Sequence, residues 1–330
     1  MDAWYEDDEK LDQHLRTLQG LLDEKPLVSG YEQIAHVSSG GQAVVYSATR
    51  KGTEQRVALK MFNEKNAWWG RAQIRLQNEA RELERLQDPR IVGFVEFLED
   101  RLGRPVLVME WVDGGSLADH LPFGPRSGHF QTLHALVHCV MEIAGAVQAA
   151  HDSGVFHRDL KPRNVLLDAA GRPRLADFGL GQGPAARESA LTRVGSVLGT
   201  LAYAAPEQLG IAEDLDWARA DVYGLGGILL EGLTGQPPHP LRKKTGEREG
   251  LAAPPSARVR LRRWDDRLEG IVVRALAPLP EDRYAQPREL IADLLAWLEG
   301  RQPVAAPFRP VDRLGWRFRR AFTSTPRRGA

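Results

Sequence analysis

Residues 157–164 read HRDLKPRN and residues 177–179 read DFG, with two short β-like runs, VLLD and PRLA, between them. Alone, the first stretch could be a turn rich in salt bridges. With DFG following a hairpin-length insert, that reading fails, because the residue types form one chemical set. Moving a phosphoryl group makes little covalent demand on a protein, which has only to hold the reactants in line while charge is neutralised. A carboxylate (Asp159) suits the acceptor hydroxyl's proton, and an amide oxygen (Asn164) with a second carboxylate (Asp177) suits a hard cation. A lysine (Lys161) offsets phosphate charge.

Working outward from this loop, the two sides differ in pattern. Upstream, from Tyr31 to about Val112, the runs YEQIAHV, AVVYSAT, RVALKMF, GFVEFLE and PVLVMEWV read as short strands. One long helical pattern interrupts them, RAQIRLQNEARELERLQ, and it stops at DPR, where proline disfavours continuation. Strands with one embedded helix predict a small α+β lobe over 31–112. Downstream, Leu133, Leu136, Val137, Val140, Ile143, Ala144 and Val147 trace one face of a long helix. Further helical patterns follow at DWARADVYGLGGILLEGLTG, DRLEGIVVRALA and QPRELIADLLAWLEG, so a mainly helical lobe is expected over 113–300. Between the first two of these, TGQPPHPLRKKTGEREGLAAPPSARVRLRRW is rich in proline, glycine and basic residues and reads as a surface connection.

These features together resemble the protein kinase family, and closely its bacterial Ser/Thr branch. The resemblance covers about residues 31–300 and implies a bilobal α+β fold and transfer of the ATP γ-phosphate to protein Ser/Thr hydroxyls. It implies Asp159 as catalytic base, Lys161 as stabiliser of the transferred phosphate, and Asn164 and Asp177 as ligands of Mg²⁺, with Mn²⁺ as the alternative metal. In VALK, Lys60 corresponds to the strand lysine that contacts the α- and β-phosphates and pairs with a helix glutamate. Glu79 matches that glutamate by its spacing to the proline; Glu82 and Glu84 are nearby alternatives, Glu82 sharing part of the Glu79 face, but both read better as exposed helix charges. Met109 corresponds to the gatekeeper, Glu110 and Val112 to the hinge groups offered to adenine, and Val45, Ala58 and Leu166 to the apolar sandwich around the ring.

Past DFG, a stretch holding Ser189, Thr192, Ser196 and Thr200 is closed by GTLAYAAPE and resembles an activation segment. The resemblance implies an ion pair of Glu207 with Arg283, and an aspartate, Asp221, buttressing the catalytic loop. It implies that Thr200 bonds the catalytic aspartate and lysine, and that Arg158 receives a phosphorylated loop residue, Thr192 or Ser196. One stretch departs from the pattern. In VSSGGQAVVY, residues 37–46, a GxGxxG nucleotide lid would need glycine where Ser38 and Ala43 stand. Gly40 keeps the middle position, Gly41 adds freedom beside it, and Val37 borders the ring. Small replacements predict altered lid geometry rather than a blocked site. The alternative, a silent nucleotide-binding scaffold, is disfavoured because Lys60, Asp159, Asn164 and Asp177 all stand. Phosphorylation of a small molecule is disfavoured by GTLAYAAPE, which positions peptides in this family.

The 330 residues are 42% apolar and 27% charged, ordinary for a soluble globular protein, and the formal charge is zero. That zero conceals opposite ends. Residues 1–30 hold eight acids against three bases, net −5, and residues 301–330 hold eight arginines against Asp312, net +7. The first segment reads as an acidic helical extension with Leu11, Leu15, Leu18 and Leu22 on one face. The last reads as a basic tail able to meet an acidic partner or a membrane surface. Nucleic acid is not expected as a partner. Cys139 is the single cysteine, so no intrachain disulfide forms. No charge-free run approaches a bilayer span and the start is unlike a signal peptide, which together point to a soluble, cytoplasmic chain.

Overall fold

The computed structural model describes residues 26–39, 43–62, 69–121, 132–178, 202–209, 215–239, 241–242, 250–251 and 265–305. Both charged ends, from residue 1 to 25 and from 306 onward, lie outside them. So do Gly40, Gly41, Ser189, Thr192, Ser196 and Thr200. The chain divides into two compact units, the first running to Arg81 and from Gly93 to Trp111, the second from Glu82 to Val92 and from Val112 onward. As expected, the first unit is an antiparallel sheet with one long helix and the second is mainly helical.

In the first unit, β1 (Tyr31–Ser39), β2 (Ala43–Arg50), β3 (Arg56–Phe62), β4 (Phe94–Glu99) and β5 (Pro105–Glu110) form an antiparallel sheet in the order β1-β2-β3-β5-β4. Helix α1 (Trp69–Glu84) falls between β3 and β4 in the chain. The period of two divides β3 cleanly. Val57, Leu59 and Met61 join Val106 and Val108 of β5 in the apolar cluster, with Tyr31 and Ala48. Ala58 and Lys60 are thereby sent to the opposite face. The edge strand β1 is mostly exposed and has register shifts between Glu32 and Ala35 and between His36 and Ser38. Helix α1 ends sooner than DPR requires: its last turn tightens through Arg85 N–H to Glu82 O (3.2 Å) and Leu86 N–H to Leu83 O (3.0 Å).

The second unit is built on α3 (Leu133–Asp152), α4 (Trp217–Thr234), α5 (Asp266–Ala275) and α6 (Pro287–Leu298), after a one-turn α2 (Leu117–His120). Thr132, Asp216 and Asp265 cap α3, α4 and α5 through their side-chain oxygens. Helix α4 stops at Gly235, whose φ of 70° is left-handed. Helix α3 is long and apolar enough to cross a membrane by composition, yet it packs against α4 and α6 and buries Val137, Val140, Ala144 and Val147 completely. It is a core helix. The expected connection after α4 begins inside rather than on the surface. His239 is 2% exposed and shares a 3.0 Å hydrogen bond with the Tyr223 hydroxyl, and Pro238 lies against Gly227. A histidine able to bond a buried tyrosine explains why polar composition misplaces this stretch. Cys139 is buried, and burial pushes its thiol up to about 12, as expected for a packing residue.

Candidate active site

In the first unit the sheet register gathers the residues read as nucleotide contacts. Val45 stands opposite Lys60, Ala58 opposite Met109, and Lys60 opposite Leu107, so Val45, Ala58, Lys60 and Met109 share the face turned away from the apolar cluster. From α1, Glu79 meets this face. Lys60 Nζ donates to its two carboxylate oxygens at 2.7 and 3.0 Å, with both side chains 2% exposed or less. Two opposite charges so deeply buried are tolerated only as a pair. Glu110 ends β5 with its amide bonded to Gly93 O at 2.9 Å. Val37 sits in the second register shift of β1 and is 47% exposed.

In the second unit the catalytic loop hangs from α4. Asp221, 1% exposed, accepts the backbone N–H of His157 (2.9 Å) on one oxygen and that of Arg158 (2.8 Å) on the other. His151 adds a 2.7 Å contact to the first. Gly224, one turn on, lies under Leu160, and a Cβ there would come within 2.6 Å of the Leu160 Cβ. With the amides of 157 and 158 both turned to one carboxylate, Arg158 takes a left-handed φ of 67°. Asp159 follows. Its carboxylate accepts from Lys161 Nζ at 2.6 Å, and Asn164 Nδ2 donates to the Asp159 carbonyl at 2.8 Å and more weakly to its carboxylate at 3.3 Å. With its nitrogen so engaged, the Asn164 amide turns its oxygen elsewhere, the polarity a hard cation requires.

The VLLD and PRLA runs form a hairpin, β6 (Val165–Leu167) with β7 (Pro173–Leu175), and it delivers Asp177 and Phe178 beside this loop. Ala176 N–H bonds Asn164 O at 2.8 Å, fixing the strand end one residue before Asp177, which itself has a left-handed φ of 62°. His157 joins the two segments. Its Nε2 bonds Ala176 O at 2.9 Å and its ring lies 4.8 Å from that of the fully buried Phe178. Burial holds its imidazole below the usual value despite the carboxylates of Asp221, Asp159 and Asp177. Leu166 is half-buried between buried Val165 and Leu167, so it faces the other side of the hairpin. Val112 is likewise half-buried. Among the described residues, no three His, Cys, Asp or Glu side chains gather as a metal cage.

One group differs from its reading in the sequence. Glu84 is exposed as expected, but Glu82 is half-buried, with Oε2 sealed from solvent and without a hydrogen-bond partner. Burial raises its carboxyl pKa, against the pull of Arg158 and Arg85. The Arg158 guanidinium stands 5.1 Å over the Trp217 ring. The expected pair of Glu207 with Arg283 is present, bidentate at 2.6 and 2.8 Å, and fully buried.

Residues 31–294 match the family model of the protein kinase domain. The chain belongs to the protein kinase family. It is 35% identical over 290 residues to the serine/threonine-protein kinase PknL of Mycobacterium tuberculosis, covering 84% of this chain and 67% of that one. It is 32% identical over 291 residues to PknB of the same species, covering 83% of this chain but 44% of that kinase. The crystal structure of the M. tuberculosis PknI kinase domain superposes with a TM-score of 0.62 at 29% identity, over 84% of this chain and 98% of that one. Within this kinase, the buttressing role of Asp221 could be read from its motif, but His151 at the same carboxylate carries no motif signal.

Proposed function

We propose that this chain is a serine/threonine protein kinase that transfers the γ-phosphate of ATP to protein hydroxyls, with Asp159 taking the acceptor proton. The observation that carries the reading is the Asp159 carboxylate held between Lys161 and Asn164 on a loop anchored by Asp221. A carboxylate so oriented is placed to receive a proton, and Lys161 beside it supplies the charge that the moving phosphoryl group needs. Lys60, locked to Glu79, holds the α- and β-phosphates, and Val45, Ala58 and Met109 on the same sheet face line the adenine site, with Glu110 offering backbone groups. Protein kinases use ATP with a divalent metal. We assign Mg²⁺, held by Asn164 and Asp177, where it would neutralise phosphate charge.

The kinase domain spans 31–300. Arg158 is the receiver for phosphorylated Thr192 or Ser196, and the Glu82 carboxyl already beside it sets the charge against which that phosphate must compete. A cytoplasmic location accords with the single, buried cysteine. The test is incubation of purified protein with labelled ATP and Mg²⁺, wild type beside Asp159→Asn. Labelling of the chain or a protein substrate should fall about 10²–10⁴-fold in the variant, the range for a general base. Equal labelling of the two, or none in either across metals and substrates, sinks the reading.

A further inference from the structure

The recess beside Asp159 is lined by stretches far apart in the chain. One wall is the catalytic loop at Arg158 and Asp159, and the facing wall is Tyr203, Ala204 and Gln208. An acceptor hydroxyl that reaches the Asp159 carboxylate through this recess lies against the second wall. Each wall is fixed to α4 separately. The loop hangs from Asp221, whereas the Tyr203 hydroxyl donates to Glu231, and a Cβ at Gly227 would come within 3.4 Å of the Tyr203 ring. Between Asp221 and Glu231 the helix rises about 15 Å, so these two anchors alone do not set how closely the walls approach.

Gln208 spans the gap. It is 8% exposed, its Oε1 accepts the Ala205 N–H at 2.9 Å, and its Nε2 donates to the Arg158 carbonyl at 2.8 Å. Its own N–H returns to Ala205 O at 2.9 Å in a single turn that Pro206 opens, so the side chain leaves a closed turn. A backbone N–H only donates and a carbonyl only accepts, which fixes which end of the amide is which. Glutamine supplies that acceptor and that donor together; an ionised glutamate has no donor, and methionine has none either. On the loop side, Arg158 thereby has its N–H held by Asp221 and its carbonyl by Gln208, at a left-handed φ of 67° one residue before Asp159. We infer that Gln208 is a positioning residue for phosphoryl transfer, whose amide sets the distance between the wall that presents the acceptor and the Asp159 carboxylate. This rests on the protein kinase reading above. Reacting groups must be held about 3–3.5 Å apart, so a slackened wall penalises an acceptor seated on it more than a water molecule, which needs no seat.

The test follows labelled γ-phosphate from ATP and Mg²⁺ in one reaction, counting what enters a degenerate Ser/Thr peptide mixture and what is released into water. Gln208→Glu keeps the length and the Ala205 bond but turns an anionic oxygen to the Arg158 carbonyl. It should lower the ratio of peptide transfer to hydrolysis about tenfold, on a scale where a 1 Å misplacement costs about 10²-fold. The KM for ATP should not move. Gln208→Met, which adds no charge, should shift the ratio the same way, and it decides the matter if Gln208→Glu does not fold. A wild-type ratio in a folded variant, or transfer and hydrolysis falling together with the fraction folded, overturns the inference while leaving the kinase reading intact. Transfer by wild type to no peptide, no protein and not to the chain itself overturns the reading beneath it.

Discussion

Two buried ion pairs, one in each unit, look alike by distance and differ in what surrounds them. Lys60 and Glu79 meet at 2.7 Å, Arg283 and Glu207 at 2.6 Å, and both are sealed from water. Arg283 also donates to the carbonyls of Ala277, Arg219 and Pro278 and stands 4.9 Å over the Tyr223 ring. Its planar fork is tied into three stretches of backbone, so the pair works as a structural joint. Lys60 carries a compact ammonium on a flexible stem, on the sheet face that also presents Val45, Ala58 and Met109. On the proposed reading, the same Coulombic contact serves architecture in one unit and nucleotide binding in the other.

The contrast can be broken first at its stronger end. Arg283→Met should lower stability by about 3–5 kcal/mol in denaturant titrations, because Glu207 is left as an uncompensated buried charge. Adding Glu207→Gln should recover only part of this, since the three carbonyls still lack their donor; full recovery would show that the pair alone, not the joint, matters. Next, Lys60→Met combined with Glu79→Gln should fold with stability near wild type yet lose about 10²–10³ in ATP-dependent turnover, the scale of one transition-state charge contact. Turnover that follows the melting temperature would collapse the distinction between the two pairs.

A smaller effect probes the catalytic loop. His157 is held neutral by burial, its pKa below the ordinary 6.5, so the unfolded chain takes up the proton first. Its contribution to stability is thus complete above pH 6.5 and declines as pH falls from there toward the folded value, by at most about 1.4 kcal/mol per pH unit. The facing carboxylates of Asp221, Asp159 and Asp177 moderate the slope. Unfolding free energies between pH 7.5 and 5.5 should fall less steeply in His157→Asn than in wild type, and parallel curves would contradict the assignment. Smallest, Asp216→Ala removes the oxygen that bonds Arg219 N–H at 3.2 Å and should cost about 1 kcal/mol without changing turnover per folded molecule.

Local pattern carried much of this. Strand β3 follows the period of two, and that period decides that Lys60 and Ala58 face away from Val57 and Leu59. The loop residues were legible because phosphoryl transfer admits few side-chain types at that spacing. What escaped reading depends on partners remote in sequence. Nothing near Glu82 signals that Arg158 lies beside it, and nothing near His239 announces the Tyr223 hydroxyl. Tyr203 and Glu231 are 28 residues apart, Arg158 and Gln208 are 50 apart, and only the fold brings each pair together. Side-chain identity announces chemistry at short range, whereas burial and charge balance belong to the packed chain.

The anchoring of the catalytic loop has a consequence for how the protein is made. Its amides at His157 and Arg158, and the imidazole of His151, all converge on a carboxylate lying 63 to 70 residues later in the chain. A nascent chain that has left the ribosome only as far as DFG already carries Lys60, Asp159, Asn164 and Asp177, yet it has nothing to hang the loop from. Loop closure over such a span is slow and is rewarded only when α4 has emerged and packed. Phosphate-transferring ability is thus withheld from incomplete chains, and arrives together with the helix that ends the search.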